Sequence, residues 1–388
     1  MNKQRLLILV LLVIFFILMG KDIMPTKIEI HDLEIVDVIG LDTTENGVIL
    51  SVFRSAPSKD EEDEKDKSKN TSAVVSVETS NYTDALKLLK TVTDKYISAW
   101  NTKYYLIGEE TIKTDLKNVE DFLSRNYETS LTAKVYVTSS MTAKDFLNEM
   151  ANNDVDLQQN LSNMEEDFLL KNQTKTVDIV DVIDMYLEDT MYGVIPKISV
   201  PEEKDKNVKL SFDGAVVLKD SNIVHSLNSK QMQELNFATK NIDYYSFKLL
   251  DKDSNNVILG GTDIHVKYNF NFSKEQEIKG INIDVKITCN IEEKHSDYSI
   301  YNSDEFDMLK NQIKEEITKH ILSIIETSRK IDTDIIDLEK EFMYKHPYKH
   351  HKLENAWETL KKVPVTVSVE CNIDTTYNIL FSNIGQKE

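Results

Sequence analysis

Apolar positions recur along this chain with two different periods, and each period predicts a type of element. Alternating apolar and polar residues favour strands, whereas apolar residues three or four apart favour one face of a helix. Predicted strands lie at 28–41, 48–53, 72–79, 104–108, 132–138, 209–218, 222–227, 263–272, 281–291 and 363–373. Predicted helices lie at 82–97, 119–125, 143–150, 177–187, 229–237 and 306–325. This mixture predicts an α+β fold in which mixed sheets are packed with helices.

Two local signals strengthen this assignment. Asn46-Gly47 separates the apolar run that ends at Leu41 from the run between Val48 and Phe53. Asn-Gly between two such runs favours a tight hairpin turn. Asn81 precedes a helical pattern and is a predicted N-cap, because its side chain can accept a hydrogen bond from the first turn.

A charged stretch without apolar periodicity lies at 57–70 and contains the acidic run Asp60–Glu64. Acidic oxygens could bind calcium, but the stretch lacks the glycine-pivoted ligand spacing of such sites. We therefore interpret it as a solvated acidic loop.

A second break, at 196–207, holds two prolines and a run of charges, and it marks the main predicted boundary. The N-terminal part could divide further into two subdomains. The predicted organisation is an N-terminal transmembrane anchor or uncleaved signal at 1–21, an N-terminal α+β region at 22–200 and a C-terminal α+β domain at 201–388.

The most apolar stretch runs from Leu6 to Met19, directly after Lys3 and Arg5. This order is typical of an export signal or a membrane anchor. Fourteen helical residues span only about 21 Å, so length alone favours a signal peptide over a full membrane span. Under the positive-inside rule, the two basic residues stay in the cytoplasm and the body from Asp22 onward lies outside it.

Cleavage and lipidation are both poorly supported by the residues that follow. Signal peptidase prefers small side chains before the cut, yet Leu18 and Met19 are large and only Gly20 is small. The layout is that of a bacterial lipobox, but Lys21 stands where the lipid-bearing cysteine is needed. We therefore predict no lipidation and an uncleaved transmembrane anchor, with cleavage at another site as the alternative.

Composition narrows the function classes. The chain has 388 residues and a formal net charge of -20, with an isoelectric point near 4.9. Nucleic acids and anionic lipid surfaces need clustered positive charge, so both are disfavoured as partners of the body. Two cysteines, Cys289 and Cys371, are too few for a disulfide-rich scaffold or a cysteine-based zinc site. We interpret them as reduced core residues, with one disulfide as the alternative in an oxidising compartment.

Sequence motifs for catalysis are missing from the chain. No G-x-S-x-G, H-E-x-x-H, Walker or dinucleotide-type glycine motif occurs. The densest group of metal-ligand types is His346, His350 and His351, but Pro347 makes it difficult for one helix to bring the first two histidines together. A partly exposed basic loop is the favoured interpretation.

Two further groups could carry chemistry. Asp332, Asp334 and Asp337 could pair carboxylates for acid–base work, but they flank an Ile-Ile pair typical of a core, which favours a structural turn. Trp100 and Trp357 are interpreted as core anchors or groove linings. We therefore predict no catalytic, metal or cofactor residues, and a protein that is not an enzyme.

Several short segments resemble, in their order, the Ger(x)C family, the C subunits of nutrient germinant receptors in endospore-forming bacteria. The most specific match is DLEIVDVIGLD at 32–42. The other similar segments are YLIGEE at 105–110, FLSRN at 122–126, GAVVLK at 214–219, IVHSL at 223–227, the long helix, DII at 334–336, His346-Pro347 and Trp357. Departures from the family pattern are Lys21 for the lipobox cysteine, Asn101 for a histidine, a missing glutamine near Ser328 and replaced glycines after 336.

The resemblance implies an extracytoplasmic α+β subunit, of three domains in the family, on the outer face of the spore inner membrane. Its implied partners are a membrane-embedded A subunit and a transporter-like B subunit, and no active site carries over. The leading hypothesis is a non-enzymatic receptor subunit required for nutrient-triggered germination. The alternatives are a membrane-anchored extracytoplasmic solute-binding protein and, with less support, an exported hydrolase.

Overall fold

The structure is a computed structural model that describes most of the chain after residue 32. The described residues are 33–55, 72–93, 95–153, 155–170, 172–187, 192–200, 210–220, 222–239, 242, 244–250, 256–294 and 303–374. The predicted anchor at 1–21 and the acidic loop at 57–70 lie outside these residues.

Fourteen strands form three sheets among the described residues. The strands are β1 Leu33–Ile35, β2 Val38–Thr44, β3 Gly47–Arg54, β4 Ala73–Thr79, β5 Tyr96–Ser98, β6 Tyr104–Gly108, β7 Lys134–Thr138, β8 Tyr192–Ser199, β9 Ser211–Lys219, β10 Asn222–Leu227, β11 Tyr245–Leu250, β12 Asn256–Phe272, β13 Ile278–Lys294 and β14 Val365–Asp374. The sheet orders are β1-β5, β10-β9-β8-β7-β6-β2-β3-β4 and β11-β12-β13-β14.

Ten helices accompany the sheets in the same part of the chain. They are α1 Tyr82–Val92, α2 Glu109–Arg125, α3 Ala143–Asn152, α4 Leu157–Leu170, α5 Ile179–Leu187, α6 Ser229–Thr239, α7 Ser303–Lys330, α8 Leu338–Lys345, α9 Pro347–His350 and α10 Ala356–Leu360. The predicted α+β class, with mixed sheets packed with helices, is confirmed.

The eight-stranded sheet buries both of its faces, because successive strand residues point to opposite sides. In β6, Tyr105 and Ile107 pack with α1, α2 and α5. Tyr104 and Leu106, which alternate with them along the strand, pack with α3 and α4 on the other face. Each of these four side chains is at most 5% exposed, so β6 is a central strand covered by helices on both sides.

The four-stranded sheet forms a further core with the long helix α7, which we call the C-terminal core. Leu309, Ile313, Ile317 and Ile321 recur every fourth residue and are at most 4% exposed. This spacing places them on one face of the helix, where they join side chains of β12 and β13. The predicted helix is confirmed, although at 28 residues it is longer than the predicted 306–325.

The C-terminal core adjoins the N-terminal core, the cluster that contains Tyr105 and Ile107, at β8, β9 and β10. β9 and β10 form a hairpin that pairs with β8 and so extends the eight-stranded sheet. One face of these strands, including Val194 and Val217, belongs to the C-terminal core. The opposite face, including Ile195 and Val216, belongs to the N-terminal core. The sheet therefore continues across the predicted boundary between residues 200 and 201.

Several local predictions need correction. The segment 152–175, predicted without an element, contains α4. Pro196 lies inside β8, not in a linker, and a register shift in the pairing with β9 follows it directly. The apolar spacing of the predicted helix at 82–97 places Leu88 and Val92 on one face with Ala85 and Leu89. In the structure Leu88 and Val92 are 39% and 54% exposed, because α1 buries Ala85 and Leu89.

Other local predictions are confirmed. β2 and β3 form the expected hairpin, although Thr44 pairs with Gly47, so the two turn residues are Glu45 and Asn46. Asn81 caps α1 by accepting a hydrogen bond from Asp84 N at 2.9 Å. Within the part of the chain described here, no helix is both long enough and apolar enough to cross a membrane.

Candidate functional site

A cleft lies where β8 and β9 meet the segment 332–357. It encloses a cavity of about 410 Å³ lined by residues that include Tyr192, Lys219, Asp332, Asp334, His350 and Trp357. We call this site the junction cleft. Its size is within the range of small-molecule sites. The structure thus brings together Asp332, Asp334, His350, His351 and Trp357, which the sequence singled out separately.

Asp332 is the most connected side chain of the junction cleft. Its Oδ1 accepts a hydrogen bond from Lys361 Nζ at 2.5 Å and one from Trp357 Nε1 at 3.3 Å. Lys219 Nζ lies 3.6 Å from Oδ2 and donates to the Asp332 backbone carbonyl oxygen at 2.5 Å. The hydrogen bond from Lys361, helped by the charge of Lys219, lowers the pKa of Asp332 below its usual range.

Asp334 serves as the cap of helix α8. Its two carboxylate oxygens accept hydrogen bonds from Leu338 N at 3.1 Å and Glu339 N at 2.7 Å. Asp337 precedes the helix in a left-handed conformation and makes no capping bond itself. Asp334 is 3% exposed, and burial raises its pKa to about 7, against the opposing effect of the two backbone hydrogen bonds.

Tyr192 separates the junction cleft from a second cavity of about 340 Å³, since it lines both. Its hydroxyl donates to Asp337 Oδ1 at 3.0 Å. Lys175 lines the second cavity together with Asp181 and Asp337. Burial lowers the pKa of the Lys175 amine, while those two carboxylates oppose the shift. This second cavity is therefore a polar space held between β8 and the start of α8.

The three histidines of the candidate metal cluster do not converge. His350 Nε2 lies 3.0 Å from Glu339 Oε1 at the junction cleft. His346 packs instead against Phe272 and Phe342, with ring centroids 4.9 Å and 5.6 Å apart, and burial lowers its pKa. The segment expected as a loop is the short helix α9. The described residues hold no group of three or more His, Cys, Asp or Glu placed to bind a metal ion.

The remaining candidates lie in different environments. Trp357 is 8% exposed and belongs to the C-terminal core, as expected of a core anchor. Trp100 is 58% exposed and is not a core residue. Cys289 and Cys371 are buried and free on the neighbouring strands β13 and β14, which agrees with their interpretation as reduced core residues.

The segment 332–337 is a turn, as predicted, and its carboxylates are already engaged by the protein. Asp332 is bound by lysines and an indole, Asp334 by backbone amides and Asp337 by Tyr192. The arrangement joins the eight-stranded sheet to the C-terminal region. Sequence reasoning missed Tyr192, Lys175 and Lys361 because nothing local marks them. Lys219 stands out in the sequence only as the last residue of the segment GAVVLK at 214–219.

A second polar cluster fills the carboxyl edge of parallel strands β2, β6 and β7. Open α/β sheets bind ligands at such an edge, often at a helix N-terminus. Here Asp42 occupies the N-terminus of α3 and accepts hydrogen bonds from Ala143 N at 2.7 Å and Lys144 N at 2.8 Å. A Cβ atom at Gly108 would lie 2.3 Å from Asp42 Oδ1, so the glycine makes room for the carboxylate. The segments 32–42 and 105–110, which resemble family motifs, therefore contribute the carboxylate and the glycine of this internal cap.

Comparison with known protein families gives two matches, which together cover most of the chain. A family model described as the spore germination protein N-terminal domain matches residues 26–200. A second, described as spore germination B3/GerAC like, C-terminal, matches residues 213–377. Comparison with curated protein sequences gives no significant match.

Among solved structures, the crystal structure of the GerBC protein is similar to this chain. The TM-score is 0.53 at 13% sequence identity, and the match covers 86% of this chain and 96% of that chain. At this identity the similarity shows the fold. Because the two family matches together extend from residue 26 to residue 377 with a short gap, the chain belongs to the Ger(x)C family of spore germination proteins.

Proposed function

We propose that this chain is a non-enzymatic, extracytoplasmic subunit of a membrane germinant receptor, required for nutrient-triggered spore germination. The observation that carries the proposal is the pair of spore germination family matches at 26–200 and 213–377. The engaged carboxylates of the junction cleft support a structural role for the residues that could otherwise serve acid–base chemistry.

The anchor is the second part of the proposal. The apolar run from Leu6 to Met19 stays attached and crosses the spore inner membrane once, in place of the lipid that Lys21 cannot carry. The body then lies on the outer face of that membrane. An N-terminal analysis of the protein from spores tests this: we expect a chain that starts near Met1, and a chain that starts at Lys21 would contradict the anchor.

The proposed partners are the A and B membrane subunits of the receptor. Within this subunit, we propose sequence units at 22–200 and 201–388 that share the eight-stranded sheet. We expect affinity-tagged protein from solubilised spore membranes to co-purify with two larger membrane proteins. Deletion of the gene should abolish the response to one nutrient germinant and leave germination by non-nutrient agents intact. Normal germination of the deletion strain with every nutrient would reject the receptor role.

The junction cleft favours a second candidate, a membrane-anchored solute-binding protein. Its cavity of about 410 Å³ is lined by Lys219, His351 and Trp357 among other groups, and sites of this kind bind small polar molecules. Calorimetry of the full chain in detergent with amino acid and sugar germinants tests this function. Saturable binding that is lost in Lys219→Met and retained in Lys248→Met, a change outside the cleft, would support the solute-binding role.

A further inference from the structure

Four large apolar side chains are exposed together at the amino edge of the parallel strands. Ile35, Trp100, Tyr127 and Leu131 are 55%, 58%, 75% and 53% exposed. We call them the aromatic patch. Most large apolar side chains of the described residues are buried, so a group of four on one surface indicates a surface that another body covers.

Trp100 and Tyr127 form the centre of the aromatic patch. Their ring centroids are 5.9 Å apart and the rings meet edge to face at 74°. Ile35 and Trp100 line the same shallow depression of about 750 Å³. Leu131 lies directly between two other residues of that lining, Ser130 and Thr132. Ile35, Trp100 and Tyr127 therefore belong to one continuous surface, and the backbone at Leu131 adjoins it.

The backbone beneath the patch is held firmly. Ile35 pairs with Ser98 in the parallel β1–β5 sheet, and Val36 N donates to Ser98 O at 3.3 Å. Thr102 N donates to Ala99 O at 3.1 Å, and Thr102 Oγ1 donates to Val36 O at 3.0 Å. These bonds close the turn that presents Trp100, so its exposure does not result from a loose loop.

The chemistry of the patch fits the boundary between lipid headgroups and acyl chains. Tryptophan and tyrosine are enriched there because one end of each ring system is apolar and the other is polar. Lys103 and Lys134 line the same depression together with Asp37 and Glu165. The Lys103 side chain is 53% exposed, and its ammonium group lies 3.6 Å from Asp37 Oδ1. Lysine stems can lie along an apolar surface while their ammonium groups reach the headgroups.

The position of the patch in the chain indicates the same partner. β1 begins at Leu33 and runs beside β5 toward Trp100. Residues 20–32 separate it from the apolar run that ends at Met19. Thirteen residues can span at most about 45 Å, so an anchored chain holds this end of the body next to the bilayer. The tether raises the effective concentration of lipid at the patch.

We propose that the aromatic patch docks on the lipid bilayer that holds the N-terminal anchor, with Trp100 and Tyr127 inserted at the headgroup level. The inference rests on the anchor proposed above. The net charge of -20 opposes an electrostatic contact with anionic lipid, so the contact is an apolar one that zwitterionic phosphatidylcholine supports. A loop of a partner subunit is the competing occupant, and the experiment below separates the two.

The chain has two tryptophans, which makes the proposal directly measurable. Trp357→Phe leaves Trp100 as the sole tryptophan of the full chain, reconstituted in phosphatidylcholine vesicles. We expect blue-shifted Trp100 emission, strong quenching by lipid brominated near the headgroup and weak quenching by aqueous iodide. Tyr127→Ala in the same background should weaken the lipid quenching. Tyr348→Ala, a matched control at an 88% exposed tyrosine outside the patch, should leave it unchanged.

Each other outcome overturns the docking in a recognisable way. Protein that floats with the vesicles but keeps an iodide-accessible Trp100 retains the anchor and excludes lipid contact. Protein that does not float contradicts the anchor as well. Iodide protection that needs the A and B subunits and comes without lipid quenching assigns the patch to a partner loop. The difference between the wild-type chain and Trp100→Phe gives the same readout if Trp357→Phe disturbs the fold.

Discussion

Lys219 and Asp332 are 113 residues apart in the sequence, yet the Lys219 ammonium group donates to the Asp332 backbone carbonyl oxygen at 2.5 Å. The first residue ends β9 of the eight-stranded sheet, and the second follows the long helix of the C-terminal region. Trp357 and Lys361 bind the carboxylate of the same aspartate. One side chain thus joins three segments of the chain, and its removal has a measurable consequence.

We expect Asp332→Asn to lower the free energy of unfolding by about 1 kcal/mol, because its ion pairs are only partly shielded from water. Asparagine keeps the shape and tolerates the left-handed backbone at this position, so the change isolates the charge. The urea midpoint measures the effect, which should shrink at high salt.

Asp220→Asn is the matched control for this change. Asp220 also lines the junction cleft and has a left-handed backbone, but its side chain makes no ion pair among the described residues. We expect its urea midpoint to equal that of the wild type. An equal loss of stability in both variants would show that the Asp332 contacts contribute nothing specific.

The buried carboxyl group of Asp334 should make stability fall as the pH rises. Its pKa of about 7 in the folded protein exceeds the value of about 3.9 in an unfolded chain. The folded protein therefore holds a proton that the unfolded chain releases, and this stabilisation is full below about pH 4 and lost as the pH rises through 7. Asp334→Asn should remove this dependence, whose slope is at most about 1.4 kcal/mol per pH unit.

Urea unfolding of both proteins between pH 5 and pH 8 checks the prediction. As the pH rises, the unfolding free energy of the wild type should fall relative to that of Asp334→Asn. Glu354→Gln changes an exposed carboxylate of the same cleft and should keep the wild-type slope. Parallel profiles for wild type and Asp334→Asn would refute the role of this proton.

The internal cap formed by Asp42 should matter more than the ordinary cap of the same helix. Asp42→Ala leaves one buried amide, Ala143 N, and one partly buried amide, Lys144 N, without their acceptor, which costs about 2–3 kcal/mol. Thr142→Ala removes the N-cap bond to Asp145 N, which costs about 1 kcal/mol. Chemical denaturation ranks the two variants, and the reverse ranking would contradict the prediction.

Gly214 should not tolerate a side chain. Its φ is +70°, and an added Cβ would lie 1.7 Å from the Leu227 carbonyl oxygen. We expect Gly214→Ala to destabilise the fold by about 2–4 kcal/mol, because the hairpin of β9 and β10 must shift to accept it. At Gly280 the nearest atoms lie 3.8 Å from an added Cβ, so Gly280→Ala should change stability by less than about 1 kcal/mol. Thermal unfolding of the two variants side by side provides the measurement.

Local patterns predicted those parts of the fold whose causes are local. The continuous apolar run in β6 and the four-residue spacing in α7 follow from burial on both faces and on one face respectively, and both elements are present. Pro196 misled the prediction, because a proline argues against a central strand. The structure accommodates it beside the register shift between β8 and β9. The sequence gives a helical spacing to three buried residues of α4, Leu157, Leu161 and Met164. The polar residues around them make this spacing hard to recognise.

The junction cleft was predictable only in part. Asp332, Asp334 and Trp357 were noticed for their chemistry, and the prediction of a structural turn around the two aspartates is confirmed. Lys219, which binds Asp332, and Tyr192, which binds Asp337, come from strands more than 100 residues earlier. No local signal connects such residues, since only tertiary folding brings them together. The sequence left Trp100 as either a core anchor or a groove lining, and the structure places it in the lining of a shallow depression. Local sequence could not decide between the two, because burial depends on tertiary neighbours.

The eight-stranded sheet restricts how the two halves of this protein can be exchanged by recombination. Most of β9 and all of β10 fall within the C-terminal family match, yet they complete a sheet that begins in the N-terminal match. A recombination event near residue 205 that exchanged one half with a relative would place a foreign hairpin against β8. Its side chains would then enter two cores built for other partners. We therefore expect the two halves to descend together as one evolutionary unit.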